Sequence, residues 1–308
     1  MDYSNTLVNV LILLALGIPG FILKYKNLLD DNASENIVNM TLYISQPAIV
    51  LVAFQKVIFE KEILINLLLA FVISLIVMIT ISLITFISIK PFIKDKINRR
   101  FVTFGSTFGN SIFMGFPIIN MLMPDQSVVL VYLAVFAVAY NQLSWTLGAF
   151  LLSGDKKYIS IRKAFINPPT IAALIMLPLF FLNFHLDERV LTGFNFLADM
   201  AIPLSMTVFG IRLSEIKFNE LFSDLNVYIA SSIKLLIGPL LIFLVFRLIP
   251  FNNVLKLTLY ILFMMPCANN LILFSEKFNV NQEFATKTVL FSTIFSCLTI
   301  PLLLLLTF

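Results

Sequence analysis

The sequence predicts an all-α integral membrane protein that carries two interrupted helices. Of its 308 residues, 59% are hydrophobic and only 12% are charged, whereas a soluble domain is usually about 45–50% apolar and about 25% charged. The apolar residues form runs near the roughly 20 residues that a membrane helix needs. One run contains glycine, proline and asparagine, and a second contains proline and asparagine. In hydrocarbon such helix breakers are tolerated only beside protein or a wet cavity, so these runs predict a site.

Ten apolar spans can be drawn along the chain, and we number them in order. The first five cover 6–23, 37–59, 63–89, 101–123 and 128–152; the second five cover 165–184, 190–211, 226–248, 254–274 and 285–306. A hydrophilic linker at 153–164 separates a first repeat, 1–152, from a second, 165–308. Because five spans bring the chain to the opposite side of the membrane, the two repeats are predicted to be inverted.

Lysine and arginine residues set the predicted orientation. Most of them lie in the loops that follow the odd-numbered spans, and cytoplasmic loops carry an excess of these residues. We therefore expect the odd-numbered loops in the cytoplasm and both termini outside.

Composition argues against several functional classes. The net charge of +4 comes from short loops rather than from one basic patch, so nucleic-acid binding is not predicted. The single His185 has no second ligand nearby, and Cys267 and Cys297 lie within apolar spans, so we expect no metal site. There is no Gly-rich phosphate loop, which argues against ATP-driven transport. No cofactor and no enzymatic chemistry are predicted.

The two interrupted stretches lie in corresponding spans of the two repeats. The first, in span 4, runs from Gly105 to Pro117 and contains three glycines, a proline and an asparagine. The second, in span 9, runs from Met265 to Asn270 and contains Pro266. A pair of Gly/Pro-interrupted spans is the best sequence indication of a transporter's binding site. We expect broken helices 4 and 9 to cross at a substrate.

These stretches, with landmarks elsewhere, resemble the auxin efflux carrier family, which includes the plant PIN-FORMED carriers and many bacterial members. The run from Gly109 to Pro117 resembles the family's helix 4, and the run from Pro266 to Asn270 resembles its helix 9. Weaker matches follow the family's order: Asn141 with Trp145, Thr146 and Gly148; Met200 to Leu204 and Gly210; Ser292 and Thr293; and Leu298 to Leu302. The resemblance covers the whole chain, without the long hydrophilic loop of many plant members.

The resemblance implies a fold shared in outline with bile-acid symporters and sodium–proton antiporters. Spans 1, 2, 6 and 7 would form a scaffold, often dimeric, and spans 3–5 and 8–10 a mobile transport domain that holds the crossing. This division implies elevator-type alternating access. The resemblance further implies a location in the plasma (inner) membrane of a bacterium and a homodimer through the scaffold spans.

Polar residues at the interrupted stretches are candidate substrate ligands. Asn110 could donate its amide to a substrate carboxylate or could cap the broken helix, and Ser111 has the same two interpretations. Adjacent helical residues point about 100° apart, so we expect only one of Asn269 and Asn270 to face the site. Asn141, in a polar step of span 5, is expected to line it. The predicted substrate-binding set is Asn110, Ser111, Gly115, Pro117, Asn141, Lys234, Pro266, Asn269 and Asn270.

Two charged residues lie inside apolar spans. Lys234 lies about 8 residues into span 8, or roughly 12 Å deep at 1.5 Å per residue. An intramembrane charge is a functional candidate: Lys234 could attract an anionic substrate or replace a sodium ion, or it could satisfy carbonyls at the helix breaks. Asp199 lies at a similar depth in span 7. It could pair with Lys234, act as a coupling or gating residue by exchanging a proton, or line a wet interface.

The sequence favours a secondary transporter of a small organic anion. The interiors of spans 3, 4, 5, 8, 9 and 10 contain no Asp or Glu, which a cation–proton antiporter would need. The substrate would be a carboxylate such as malate or malonate, or an auxin-like acid, and coupling to protons or to sodium stays open. The alternatives are a sodium-coupled organic anion symporter of the bile-acid type and a non-transporting membrane ligand sensor. The lipid bilayer is the other expected partner.

Overall fold

The computed structural model describes residues 8, 11–13, 15–111, 113–124, 126–215 and 221–306. These ranges form helices, joined at one place by an isolated antiparallel bridge. The helices are α1 Ile18–Tyr25, α2 Ala33–Gln55, α3 Lys61–Ser88, α4 Lys96–Thr107, α5 Gly115–Leu122, α6 Val128–Ser153, α7 Ile161–Phe165, α8 Pro168–Phe181, α9 Glu188–Ser214, α10 Leu225–Leu248, α11 Asn253–Met264, α12 Asn270–Phe278 and α13 Gln282–Leu304.

Within the described ranges, seven helical segments are long and apolar enough to cross a membrane. They have 23 to 28 residues each and comprise α2, α3, α6, the segment Lys156–Phe181 that contains α7 and α8, α9, α10 and α13. The prediction of an all-α, multi-pass integral membrane protein is therefore confirmed. Most of the first half of span 1 lies outside the described residues. Lys217, in the loop after span 7, also lies outside them.

Spans 4 and 9 are interrupted where the sequence predicts it. α4 has 12 residues and ends at Thr107, and α5, with 8 residues, begins at Gly115. α11 has 12 residues and ends at Met264, and α12, with 9 residues, begins at Asn270. At 1.5 Å per residue none of these helices reaches across a hydrocarbon core of about 30 Å.

Polar residues fix where several helices begin. The side chain of Asp95 accepts hydrogen bonds from the N–H groups of Ile97 and Asn98 at the start of α4. Asn167 accepts from Thr170 at the start of α8, and Asn252 plays the same part for α11. Each cap satisfies N–H groups that a helix start leaves without partners. The apolar spans therefore begin at positions that their flanking residues specify.

Three helices contain a π-helical turn. The turns cover Thr41–Ser45 in α2, Ser144–Gly148 in α6 and Ile233–Ile237 in α10. Such turns occur frequently at functional sites because the extra residue redirects the side chains around it.

The helices pack in two groups. α1, α2, α8 and α9 pack against one another, and α3 to α6 pack with α10 to α13. The groups meet mainly where α6 lies against α2 and α8. α1 and α9 approach so closely that a Cβ atom on Gly210 would lie 1.8 Å from the carbonyl oxygen of Gly17.

Candidate functional site

The two interrupted stretches lie directly against each other. The N–H of Asn110 donates to the carbonyl of Pro266 at 2.6 Å, and the N–H of Ala268 donates to the carbonyl of Phe108 at 3.0 Å. Gly109 and Cys267 thus face each other in an antiparallel bridge. These bonds pair backbone groups that the broken helices leave free, as a membrane interior requires.

Gly109 allows this close approach. A Cβ atom at this position would lie 2.8 Å from Nζ of Lys234 and 3.1 Å from the carbonyl oxygen of Met265. Any larger residue would push either the lysine or the second stretch away. Glycine at this position therefore lets Lys234 and the second stretch lie close to the first.

Lys234 lies directly behind this glycine and is only 2% exposed. Its Nζ lies 3.4 Å from the carbonyl oxygen of Thr107 and 3.3 Å from that of Phe263. These carbonyls belong to the last turns of α4 and α11, where the helix dipoles favour a positive charge. The contacts are those expected of a lysine that satisfies carbonyls at the helix breaks.

Asp199 lies near the middle of α9, and its side chain is exposed. No ion pair joins Asp199 to Lys234 within the described parts of the chain. The pairing that their similar depths allowed is not formed in this structure.

A cavity of about 140 Å³ opens beside the crossing. Four predicted residues line it: Asn110, Asn141, Asn269 and Asn270. Both Asn269 and Asn270 belong to this lining, whereas we expected only one of them to face the site. Asn269 occupies the N-cap position of α12 without a side-chain cap, and Asn270 is the first residue of that helix. The Nδ2 group of Asn270 also donates to Oγ of Ser144 at 3.2 Å.

The other predicted residues support the crossing rather than line the cavity. Ser111 donates its hydroxyl to the carbonyl of Leu262 at 2.8 Å and so ties the first stretch to α11. Gly115 packs closely against the same leucine, and Pro117 is buried within α5. Pro266 contributes the carbonyl that pairs with Asn110.

Several lining residues were missed from the sequence. Gln46, directly after the π turn of α2, is 3% exposed, and its Oε1 atom has no hydrogen-bond partner in the structure. A buried polar atom without a partner costs about 1–3 kcal/mol, so Gln46 is suited to contact a ligand. Its position before Pro47 in an apolar span was the available signal. Tyr140, Trp145 and Lys277 also line the cavity.

The cavity lining carries a positive charge and amide groups. Lys277 is the one charged residue in its described lining. The side chain of Lys277 is exposed, but its partial desolvation, and then the neighbouring ammonium of Lys163, lower its pKa from the ordinary value. The described lining is Val38, Leu42, Gln46, Gly109, Asn110, Phe113, Tyr140, Asn141, Trp145, Ala268, Asn269, Asn270, Leu273, Phe274 and Lys277. Amide N–H groups and an ammonium favour an anion or a neutral polar molecule over a cation.

Each π turn lies at this site. The turn in α2 precedes Gln46, the turn in α6 contains Trp145, and the turn in α10 contains Lys234. Two of these side chains line the cavity and the third supports the crossing. The irregular turns therefore bring side chains from three helices to one place.

Two comparisons with known proteins agree with this architecture. A family model described as "Membrane transport protein" matches residues 4–304. An uncharacterized transporter of Methanocaldococcus jannaschii is 24% identical over 302 residues, which covers 95% of this chain and 96% of that protein. Both matches include the two interrupted stretches and both groups of helices.

Proposed function

Because the chain belongs to the membrane transport protein family, the family of the auxin efflux carriers that its motifs resemble, we propose that it is a secondary transporter of a small organic anion. The observation that carries the proposal is the lining of the cavity. Four asparagines converge there with one lysine, and the described lining contains no carboxylate. The substrate class would be small carboxylates such as malate or malonate, or auxin-like acids.

The amide groups suit the recognition of a carboxylate. Each asparagine can donate two hydrogen bonds and accept others, so several amides can surround a carboxylate and a neighbouring hydroxyl. Gln46 adds an amide whose oxygen and nitrogen can exchange places by rotation. It would accept from a substrate hydroxyl in one orientation and donate to a carboxylate in the other.

The transport step would follow from the two groups of helices. We assign α1, α2, α8 and α9 to a static scaffold, the remaining helices to a mobile domain, and the ten spans to two inverted repeats. The cavity lies between the groups: Val38, Leu42 and Gln46 come from α2, and the other lining residues come from the mobile domain. Sliding of that domain past α2 would carry the substrate across the plasma membrane by elevator-type alternating access. Scaffold helices would also form a homodimer.

A sodium-coupled symporter is less well supported. Unwound backbone carbonyls coordinate sodium in other transporters with broken helices. Here the ammonium of Lys234 already contacts the carbonyls of Thr107 and Phe263, and the hydroxyl of Ser111 is bonded to Leu262. The ammonium would supply the charge that sodium supplies elsewhere.

Uptake into proteoliposomes tests the proposal. We expect the purified chain to move one or more small carboxylates, and Asn110→Ala and Asn269→Ala each to lower the rate at least ten-fold. Asn195→Ala is the matched control because that amide bonds within α9, away from the cavity. A ligand at 100 times its Kd should also stabilise the wild type by about 2.7 kcal/mol.

Three outcomes would contradict the proposal. Transport of cations alone would exclude the anion class. Uptake that is unchanged by both cavity variants would exclude this site. Saturable binding of carboxylates without any flux would favour the membrane sensor instead.

A further inference from the structure

We propose that Lys163, Trp145 and Lys277 form a second carboxylate-binding site, at the rim of the cavity, which holds the anion before it reaches the asparagines. It rests on the proposed function for the identity of the anion. We call these three residues the rim cluster. None of them was among the predicted ligands.

The geometry places both lysines on one aromatic ring. Nζ of Lys163 lies 4.9 Å from the ring centroid of Trp145, and Nζ of Lys277 lies 5.1 Å from it. Both distances are within the roughly 6 Å at which an ammonium is attracted to the face of an indole. Trp145 and Lys277 line the cavity, and Lys163 adds a second charge beside them. Lys163, which does not line the cavity, is therefore linked to it through its contact with the indole of Trp145.

The backbone holds the rim cluster in place. The N–H of Ser160 donates to the carbonyl of Trp145 at 3.1 Å, and the hydroxyl of Ser160 accepts from the N–H of Lys163 at 3.2 Å. The first turn of α7 is thereby fixed to the π turn of α6. The indole also packs edge-on against Phe274 of α12, with ring centroids 4.9 Å apart. Three separate helices thus converge on one ring.

The charges of the rim cluster are not neutralised by the described chain. The ion pairs of this region involve other bases: Glu276, next to Lys277, contacts Arg212, and Asp155 contacts Lys157. The two ammonium groups share one indole ring, and two like charges close together repel each other. A carboxylate has two oxygens, so it can accept a hydrogen bond from each lysine and remove the repulsion.

This arrangement explains how a cavity lined mainly by neutral amides would select an anion. The asparagines can bind a carboxylate, but they can also bind a neutral amide of the same shape. The rim cluster discriminates between the two because only an anion relieves the repulsion between its lysines. Once the anion moves on to the asparagines, both ammonium groups return to the indole face.

The fluorescence of Trp145 tests the site directly, because the chain contains a single tryptophan. The full chain is titrated in nanodiscs of neutral lipid with malonate and with malonamide, its neutral diamide. We expect a saturable change in fluorescence with malonate and none with malonamide. Lys163→Gln and Lys277→Gln should each weaken the response at least ten-fold, whereas Lys277→Arg should keep it. Lys156→Gln is the matched control, an exposed lysine in the same linker.

Results other than the expected ones would contradict the inference. Equal responses of the wild type and both glutamine variants, or no response to malonate, would overturn the inference. A response to phosphatidylglycerol in the nanodisc, but not to malonate, would assign the lysines to lipid headgroups and also overturn it. Flux assays separate the two proposals. If malonate is taken up but the rate does not depend on Lys163 and Lys277, the transport function is supported and the rim cluster is not. If malonate binding depends on the two lysines but no anion is transported, the rim cluster is supported and the transport function is not.

Discussion

At the scale of single residues, Lys234 shows how the protein holds a charge inside the membrane. The ammonium group is buried and lies between two carbonyl oxygens at the ends of α4 and α11. Each carbonyl would otherwise lack a partner, since it belongs to the last turn of a helix. One side chain thus completes both helix breaks.

We expect Lys234→Met to destabilise the protein. The methionine preserves much of the volume but leaves the carbonyls of Thr107 and Phe263 without a donor, and each buried unpaired group costs about 1–3 kcal/mol. Thermal unfolding in detergent measures the effect, and Lys90→Met, at an exposed lysine, is the control. A variant as stable as the wild type that has lost anion binding would instead show that Lys234 contacts the substrate.

At the scale of the helices, the contact between α1 and α9 depends on residues without side chains. A Cβ atom on Gly20 would lie 2.2 Å from the carbonyl oxygen of Thr207, and the approach at Gly210 is closer still. Small residues let membrane helices approach until their backbones touch, and this packing drives their association. Glycines at these positions therefore determine how closely α1 and α9 pack.

We expect Gly210→Val to separate these two helices. The added methyl groups must displace the backbone of α1 at Gly17, and overpacking of a tight contact costs about 1–3 kcal/mol or more. Gly193→Val, in the same helix with nothing near its position, should have a much smaller effect. Melting temperatures of the two variants provide the comparison, and equal values would contradict this account of the interface.

The helix breaks could be predicted from the sequence, but the π turns could not. Glycine and proline mark a break because their backbone behaviour differs from that of every other residue. A π turn needs only one additional residue in an otherwise apolar helix, as at Ser144–Gly148, and leaves no such mark. Trp145 was missed as a lining residue for this reason. Asn110 and Asn141 were predicted because amides are rare inside apolar spans, and the same signal at Gln46 was overlooked.

At the scale of the whole molecule, one ion pair among the described residues joins the two groups of helices. Nη1 of Arg212, in α9, lies 3.5 Å from Oε1 of Glu276, in α12. Arg212 also interacts with Glu215 and Lys24 with Asp31, so the contact belongs to a small charged network at this end of the molecule. A sliding motion of one group past the other must break the pair.

We expect a cross-link between positions 212 and 276 to stop transport. Cysteines at these positions, joined by a bifunctional thiol reagent in a background without Cys267 and Cys297, would fix α9 to α12. The control joins positions 98 and 281, where Asn281 donates to Asn98 at 2.8 Å within one group of helices. Uptake should be lost in the first variant and kept in the second. Continued uptake in the first would exclude relative motion of the two groups.

The fixed ammonium of Lys234 has a consequence for how the carrier responds to membrane voltage. In the proposed cycle this charge moves with the crossing, because it is bonded to both interrupted stretches. A monoanion such as an auxin-like acid would balance the charge of Lys234 in the loaded crossing, whereas the empty crossing would return with that charge unbalanced. The voltage acts on that charge with about 2.3 kcal/mol per 100 mV. An inside-negative potential would draw the empty carrier toward the inner face. For a monoanion, the contribution of Lys234 to the electrical sensitivity of the cycle would therefore fall on the return step rather than on the loaded step.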